Sequence, residues 1–202
     1  MKIKKKNSKD FIKNYFNQVA LIANLINVEE INQLVYNLKK LKIRKGRLFI
    51  LGVGGSAGNA SHAVNDFRKL CNIEAYSPTD NTSELTARIN DEGWETSFMN
   101  WLEVSRLNRK DSLLIFSVGG GSKFKKISVN LIKALDFAKK KGAKVFGIIG
   151  KKSGYVKKRG DMVIVVPEIN TKLTTPFSES YQSIIWHCLV SHPLLQERKT
   201  KW

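Results

Sequence analysis

RLFILGVGGSAGNASHAVNDFRK, residues 47–69, decides the fold. The apolar run 48–51 predicts a buried strand. A glycine-rich turn, 52–58, follows at once, and then a helix that carries His62 and Asp66. Glycines let the backbone come close to a ligand, and the first N–H groups of the helix then point at it. An anion, phosphate above all, is the natural guest, and Ser56 adds a hydroxyl donor. His62 and Asp66 are four residues apart and share one helix face just beyond the loop. A glycine-rich turn also serves tight packing alone. The His/Asp pair on the same helix tilts the reading towards a site.

Working outward, 71–76 reads as a short second strand, and SPTDNTSE, 77–84, is all turn and cap chemistry. Helical stretches follow at 84–89 and 95–106, then an apolar strand at 113–116. A second glycine-rich loop, SVGGGS, spans 117–122. The spacing predicts a helix over 126–141 with Ile127, Leu131, Ala134 and Phe137 inside and Gly142 as its cap. Strands follow at 145–149 and 162–166, and Pro176 starts a last helix near 177–189. Upstream, Asp10 caps a helix whose apolar positions are Phe11, Tyr15, Val19, Ile22 and Leu25. Asn27 and Glu30 start another, with Ile31, Val35, Leu38 and Leu41 on one face, ended by Gly46. Strands alternating with helices predict an α/β fold whose parallel sheet is covered on both faces. The expected organisation is a basic tail, 1–9, and a single domain, 10–202. Both glycine-rich loops follow strands, at the edge where such sheets bind ligands.

The composition, 42% hydrophobic and 26% charged over 202 residues, is that of a globular chain. No apolar run approaches the roughly 20 residues that span a bilayer. No signal-peptide core follows the basic start. Cys71 and Cys188 lie far apart without metal spacing and read as free thiols of a reducing cytoplasm. The net charge is +18, which raises nucleic acid as a partner. Lysine supplies 27 of the 35 basic residues and is spread along the chain, whereas arginine leads bidentate phosphate and base contacts. The charge reads as a solvated surface, with no nucleic-acid partner and no membrane.

Taken alone, the first loop also fits a dinucleotide pattern through Gly52, Gly54 and Ala57, with Glu74 about 20 residues on as a ribose-binding acid. The second loop offers Ser117 and Ser122 around three glycines, neutral donors suited to a phosphate that binds and leaves. The last helix carries Glu179 and His187, eight apart. With His62 and Asp66 they make two histidines and two carboxylates from two helices, a set that suits zinc or a similar divalent ion. His192, beside Pro193, reads as a helix-end residue.

GVGGSAGNASH, TDNTSELTARINDEGW, SVGGGS and ESYQSIIWH, in that order, resemble a sugar isomerase (SIS) domain, and more closely the phosphoheptose isomerases. The resemblance runs from about Asp10 to Pro193. It implies a flavodoxin-like three-layer sandwich with a five-stranded parallel sheet, two extra N-terminal helices, and a cytoplasmic homotetramer with sites at subunit interfaces. It implies conversion of sedoheptulose 7-phosphate to D-glycero-D-manno-heptose 7-phosphate in bacterial heptose synthesis. Ser56, Ser117 and Ser122 would hold the phosphate, and Gly54, Gly55, Asn90, Asp91 and Glu179 the sugar. His62, Asp66, Glu179 and His187 would form a zinc site, with Asp66 and His187 also the acid–base pair. The chain departs from the family's pattern at four positions. Val53 stands for the usual Asn, Asp66 for Glu, Gly119 for a phosphate-binding Ser, and Glu179 for Gln. Non-catalytic relatives that sense sugar phosphates or bind the replication initiator define the competing reading.

Overall fold

The computed structural model describes residues 8–199, so most of the expected basic tail lies outside the described residues. The first helix, α1, runs Ser8–Leu25 and takes in the last two tail positions, which places Asp10 in its first turn. Helix α2, Val28–Ile43, starts where expected: the Asn27 side chain accepts the Glu30 N–H. Its apolar stripe Leu34, Val35, Leu38 and Leu41 is buried. In α1 only Ile22 is fully buried, and Phe11, Ile12, Phe16 and Leu25 are exposed.

Strand β1, Leu48–Leu51, leads through the first loop into α3, Gly55–Cys71. Then come β2, Ala75–Tyr76, α4, Thr82–Glu92, α5, Ser97–Val104, and β3, Ser112–Ser117. Helix α6 is Val129–Lys140, followed by β4, Lys144–Ile149, a short α7, Tyr155–Arg159, and β5, Met162–Val165. The last helix, α8, is Thr174–Val190 and begins two residues before Pro176. All five strands are parallel, in the order β2-β1-β3-β4-β5.

One helical expectation fails locally. Ser122 and Ile127 pair as an antiparallel bridge, so 123–126 form a small hairpin and α6 starts later. Ile127 is half exposed instead of inside, because it closes that hairpin.

Side chains alternate across the strands. Leu48, Ile50, Leu114, Phe116, Phe146 and Ile148 face the core shared with α2, α3 and α8. Phe49, Leu51, Leu113, Ile115, Val145 and Ile149 face the layer of α5, α6 and α7. Asp111 is buried and receives Arg47 by a 2.8 Å ion pair and by the Arg47 backbone N–H, which ties the start of β1 to that of β3. The cysteines are free, Cys71 buried and Cys188 exposed. Burial pushes the Cys71 thiol up to about 12, which makes it inert.

Candidate functional site

The strand order reverses direction between β1 and β3, and this is where open parallel sheets leave a crevice. Both glycine-rich loops leave from that point, since Leu51 and Ile115 are register partners. Gly54 has φ +63°, a backbone state that glycine adopts without strain, and it caps α3. Gly54 and Gly55 are exposed, and Ser56 behind them is buried.

In the second loop, the Ser117 hydroxyl accepts the Gly120 N–H at 3.0 Å. The Ser122 hydroxyl accepts the Lys125 N–H at 3.2 Å. Each hydroxyl therefore keeps its own proton to donate. Two neutral O–H donors suit an anion without fixing it permanently.

Helices α3 and α8 lie side by side and run in the same direction. Near their starts, the Asn59 side chain donates to the Glu179 carbonyl at 2.9 Å and to Gln182 at 3.1 Å. The Glu179 carboxylate lies directly on Gly55: a Cβ there would sit 2.5 Å from Oε2. Within the next two turns His62, Asp66 and His187 converge, with their ligand atoms within 4.8 Å of one another. Asp66 Oδ2 is 3.9 Å from His62 Nε2 and 4.0 Å from His187 Nε2. Asp66 Oδ1 accepts from Asn65 at 2.8 Å.

His187 Nδ1 lies 2.8 Å from the Ser183 carbonyl. A carbonyl only accepts, so the N–H is on Nδ1 and Nε2 is left for a proton or a metal. Trp186 lies under both imidazoles, with ring centroids 3.5 Å from His187 and 4.7 Å from His62.

Of the four metal candidates, three meet and Glu179 falls outside the set. Eight residues along a helix rise about 12 Å, so Glu179 and His187 of one α8 stand too far apart to face one point. The three that meet fit a zinc-type ion. Imidazole and carboxylate are its usual ligands, and gaps of 3.9 and 4.0 Å lie within about twice a bond of 2.0–2.2 Å.

Asn90 and Asp91 bond each other and are exposed on α4, a helix with no buried residue. Val53 packs on the layer of α5, α6 and α7. Glu74, the acid of the dinucleotide pattern, accepts from the Tyr76 hydroxyl. Three contributors were not singled out in the sequence: Asn59, the Ser183 carbonyl and Trp186. Ser183 carries one signal, its place four residues before His187 on a helix. The ring of Trp186 carries none, because its direction depends on packing.

Known proteins share the sequence pattern and the fold of this chain. No family model matches the chain. A phosphoheptose isomerase of Helicobacter pylori is 31% identical over 179 residues, which is 86% of this chain and 90% of that protein. One from a Nitratiruptor species is 34% identical, covering 76% of this chain and 79% of the relative. The structure of a phosphoheptose isomerase from Neisseria gonorrhoeae superposes with a TM-score of 0.78 at 22% identity, over 91% of this chain and 97% of that one. At that identity the likeness is one of fold.

Proposed function

The chain belongs to the phosphoheptose isomerase family, and from that premise we propose that it converts sedoheptulose 7-phosphate to D-glycero-D-manno-heptose 7-phosphate for bacterial heptose synthesis. One observation carries the reading: His62, Asp66 and His187, drawn from two helices, converge on one another with Nε2 of His187 turned towards the carboxylate.

The reaction moves a hydrogen between two neighbouring carbons. Asp66 takes a proton from C1 while the C2 carbonyl oxygen gains one, giving an enediol. His187 delivers a proton to C2 while the O1 hydroxyl gives its own, through water, to replace the one that O2 gained, giving the aldehyde. Asp66 then releases its proton, directly or through water, to restore the pair. A carboxylate 4.0 Å from an imidazole suits such a relay, with C1 and C2 lying alongside the pair and each within reach of its own group. A bound divalent ion, held by His62, Asp66 and His187, would polarise the sugar oxygens. Nδ1 of His187 is committed to Ser183, so Nε2 would leave the ion to His62 and Asp66 when it carries the proton for C2.

The phosphate is held by Ser56, Ser117 and Ser122, and the sugar by Gly54, Gly55, Asn90, Asp91 and Glu179. Asp66 lies ten residues beyond Ser56, which is about 15 Å along α3. A seven-carbon sugar phosphate reaches about 10 Å from C1 to phosphorus at ordinary bond lengths. This mismatch supports sites shared between copies, one supplying the phosphate loops and another the trio. The exposed apolar side chains of α1 and the unburied α4 supply the surfaces for a homotetramer. Among the described residues no helix is long and apolar enough to cross a membrane. The enzyme acts in the cytoplasm, in keeping with its two free thiols.

The test is direct. The purified protein, with its metal content measured, is given sedoheptulose 7-phosphate in deuterated water. Formation of the aldose with deuterium at C2 is expected. Bound metal and bound sugar phosphate without any aldose would overturn the reading in favour of a sensor.

A further inference from the structure

We propose that Trp186 is a positioning residue for the His62–Asp66–His187 trio, doing for His62 what the Ser183 carbonyl does for His187. The inference rests on the catalytic reading of the trio. The two imidazoles are held differently. His187 has its Nδ1 on the Ser183 carbonyl at 2.8 Å. His62 has a 3.9 Å approach to Asp66, too long for a hydrogen bond, and its side chain is 57% exposed. An exposed side chain on a helix samples several rotamers unless something holds it.

The indole supplies that restraint. It meets the His62 ring edge to face, at 4.7 Å and 67°, a favoured arrangement of aromatic rings. It also stacks on His187 at 3.5 Å and 30°, and the two imidazoles stand 5.4 Å apart at 85°. Trp186 itself is fully buried in the core that α3 and α8 share with the sheet. Its indole N–H has no partner among the described residues, so the ring is placed by its faces and not by its polar atom. The core thus fixes the indole, and the indole fixes both rings. An orienting hydrogen bond to a metal-binding histidine is the usual device. Here a buried aromatic face takes its place on one of the two.

The test compares the full-length parent with Trp186→Phe, Trp186→Leu and a distant core variant, Leu38→Ala. Three quantities are read: zinc affinity by competition with a chelator, kcat and KM for sedoheptulose 7-phosphate, and the His62 side-chain rotamer by NMR of histidine-labelled protein. Trp186→Leu is expected to lose about tenfold or more in zinc affinity and in kcat, the scale of removing an orienting partner, with KM little changed. Its His62 couplings should become averaged. Trp186→Phe keeps an aromatic face and should restore most of each. Leu38→Ala should lower the melting temperature and leave the trio's readouts unchanged.

A single fixed His62 rotamer in Trp186→Leu would overturn the proposal. So would a loss in Leu38→Ala equal to that in Trp186→Leu. If the parent takes up no metal and turns over no sugar, the catalytic reading fails alone, and the rotamer comparison still decides the role of Trp186.

Discussion

Gly55→Ala separates the site from the fold. A Cβ at Gly55 would lie 2.5 Å from Glu179 Oε2, 2.7 Å from Cδ and 2.8 Å from Oε1. An ordinary contact begins at 3.4 Å, so the carboxylate has to retreat by about 0.9 Å. It is the far end of a flexible side chain, and its retreat is cheap. The substitution also adds a better helix former to the first turn of α3, worth about 0.5–1 kcal/mol in favour of the fold. The melting temperature should therefore hold or rise. Function should not. A displacement of about 1 Å in a binding constellation costs up to about 100-fold, so kcat/KM for the sugar phosphate should fall by about 10- to 100-fold. The assay is steady-state isomerisation beside thermal unfolding, with Glu179→Ala and the double variant completing a cycle. If the effect runs through Glu179, Gly55→Ala adds little once Glu179 is gone. Additive losses, or full activity in Gly55→Ala, would refute the reasoning.

Ser56→Ala and Ser122→Ala should each weaken sugar-phosphate binding by about 1–2 kcal/mol in calorimetry, the scale of a hydrogen bond to a charged group, with the fold intact. Burial raises the Asp161 carboxyl, but the Val145 N–H with Lys139 and Lys144 outweighs it and holds the group below its ordinary value. A depressed carboxyl stabilises the fold above the unfolded-state value and loses that contribution as pH falls through the folded one, so melting temperature should drop below about pH 4. In Asp161→Asn the drop should be shallower, as thermal scans from about pH 6 to about pH 3 would read. Light scattering should find a homotetramer at micromolar concentration, and a monomer would contradict the shared-site reading.

The sheet was legible because its signals are local. Four apolar residues before a glycine turn specify β1, and Leu113 to Phe116 specify most of β3. The start of α6 was not, because Ile127 keeps helical spacing while its backbone pairs with Ser122. The His62–Asp66 pairing could be read from a four-residue interval, and His187 joined it as the metal-binding residue type of the last helix, in agreement with the family resemblance. The place of Glu179 was not readable in the same way. Its residue type put it in one metal-binding set with His187, yet their eight-residue interval is about 12 Å of helix, and the carboxylate settles on Gly55. The role of Trp186 depends on a rotamer, and rotamers are fixed by packing between α3 and α8, which no interval along the chain encodes.

The central claim is that Asp66 does chemistry at a site built for isomerisation. Turnover of sedoheptulose 7-phosphate by Asp66→Asn tests it most directly, because the change keeps the shape and removes the charge. A fall of about 100-fold or more is expected, the usual scale for a general base, with sugar-phosphate affinity within a few-fold and measurable activity in Asp66→Glu. Parent-like turnover by Asp66→Asn would contradict it.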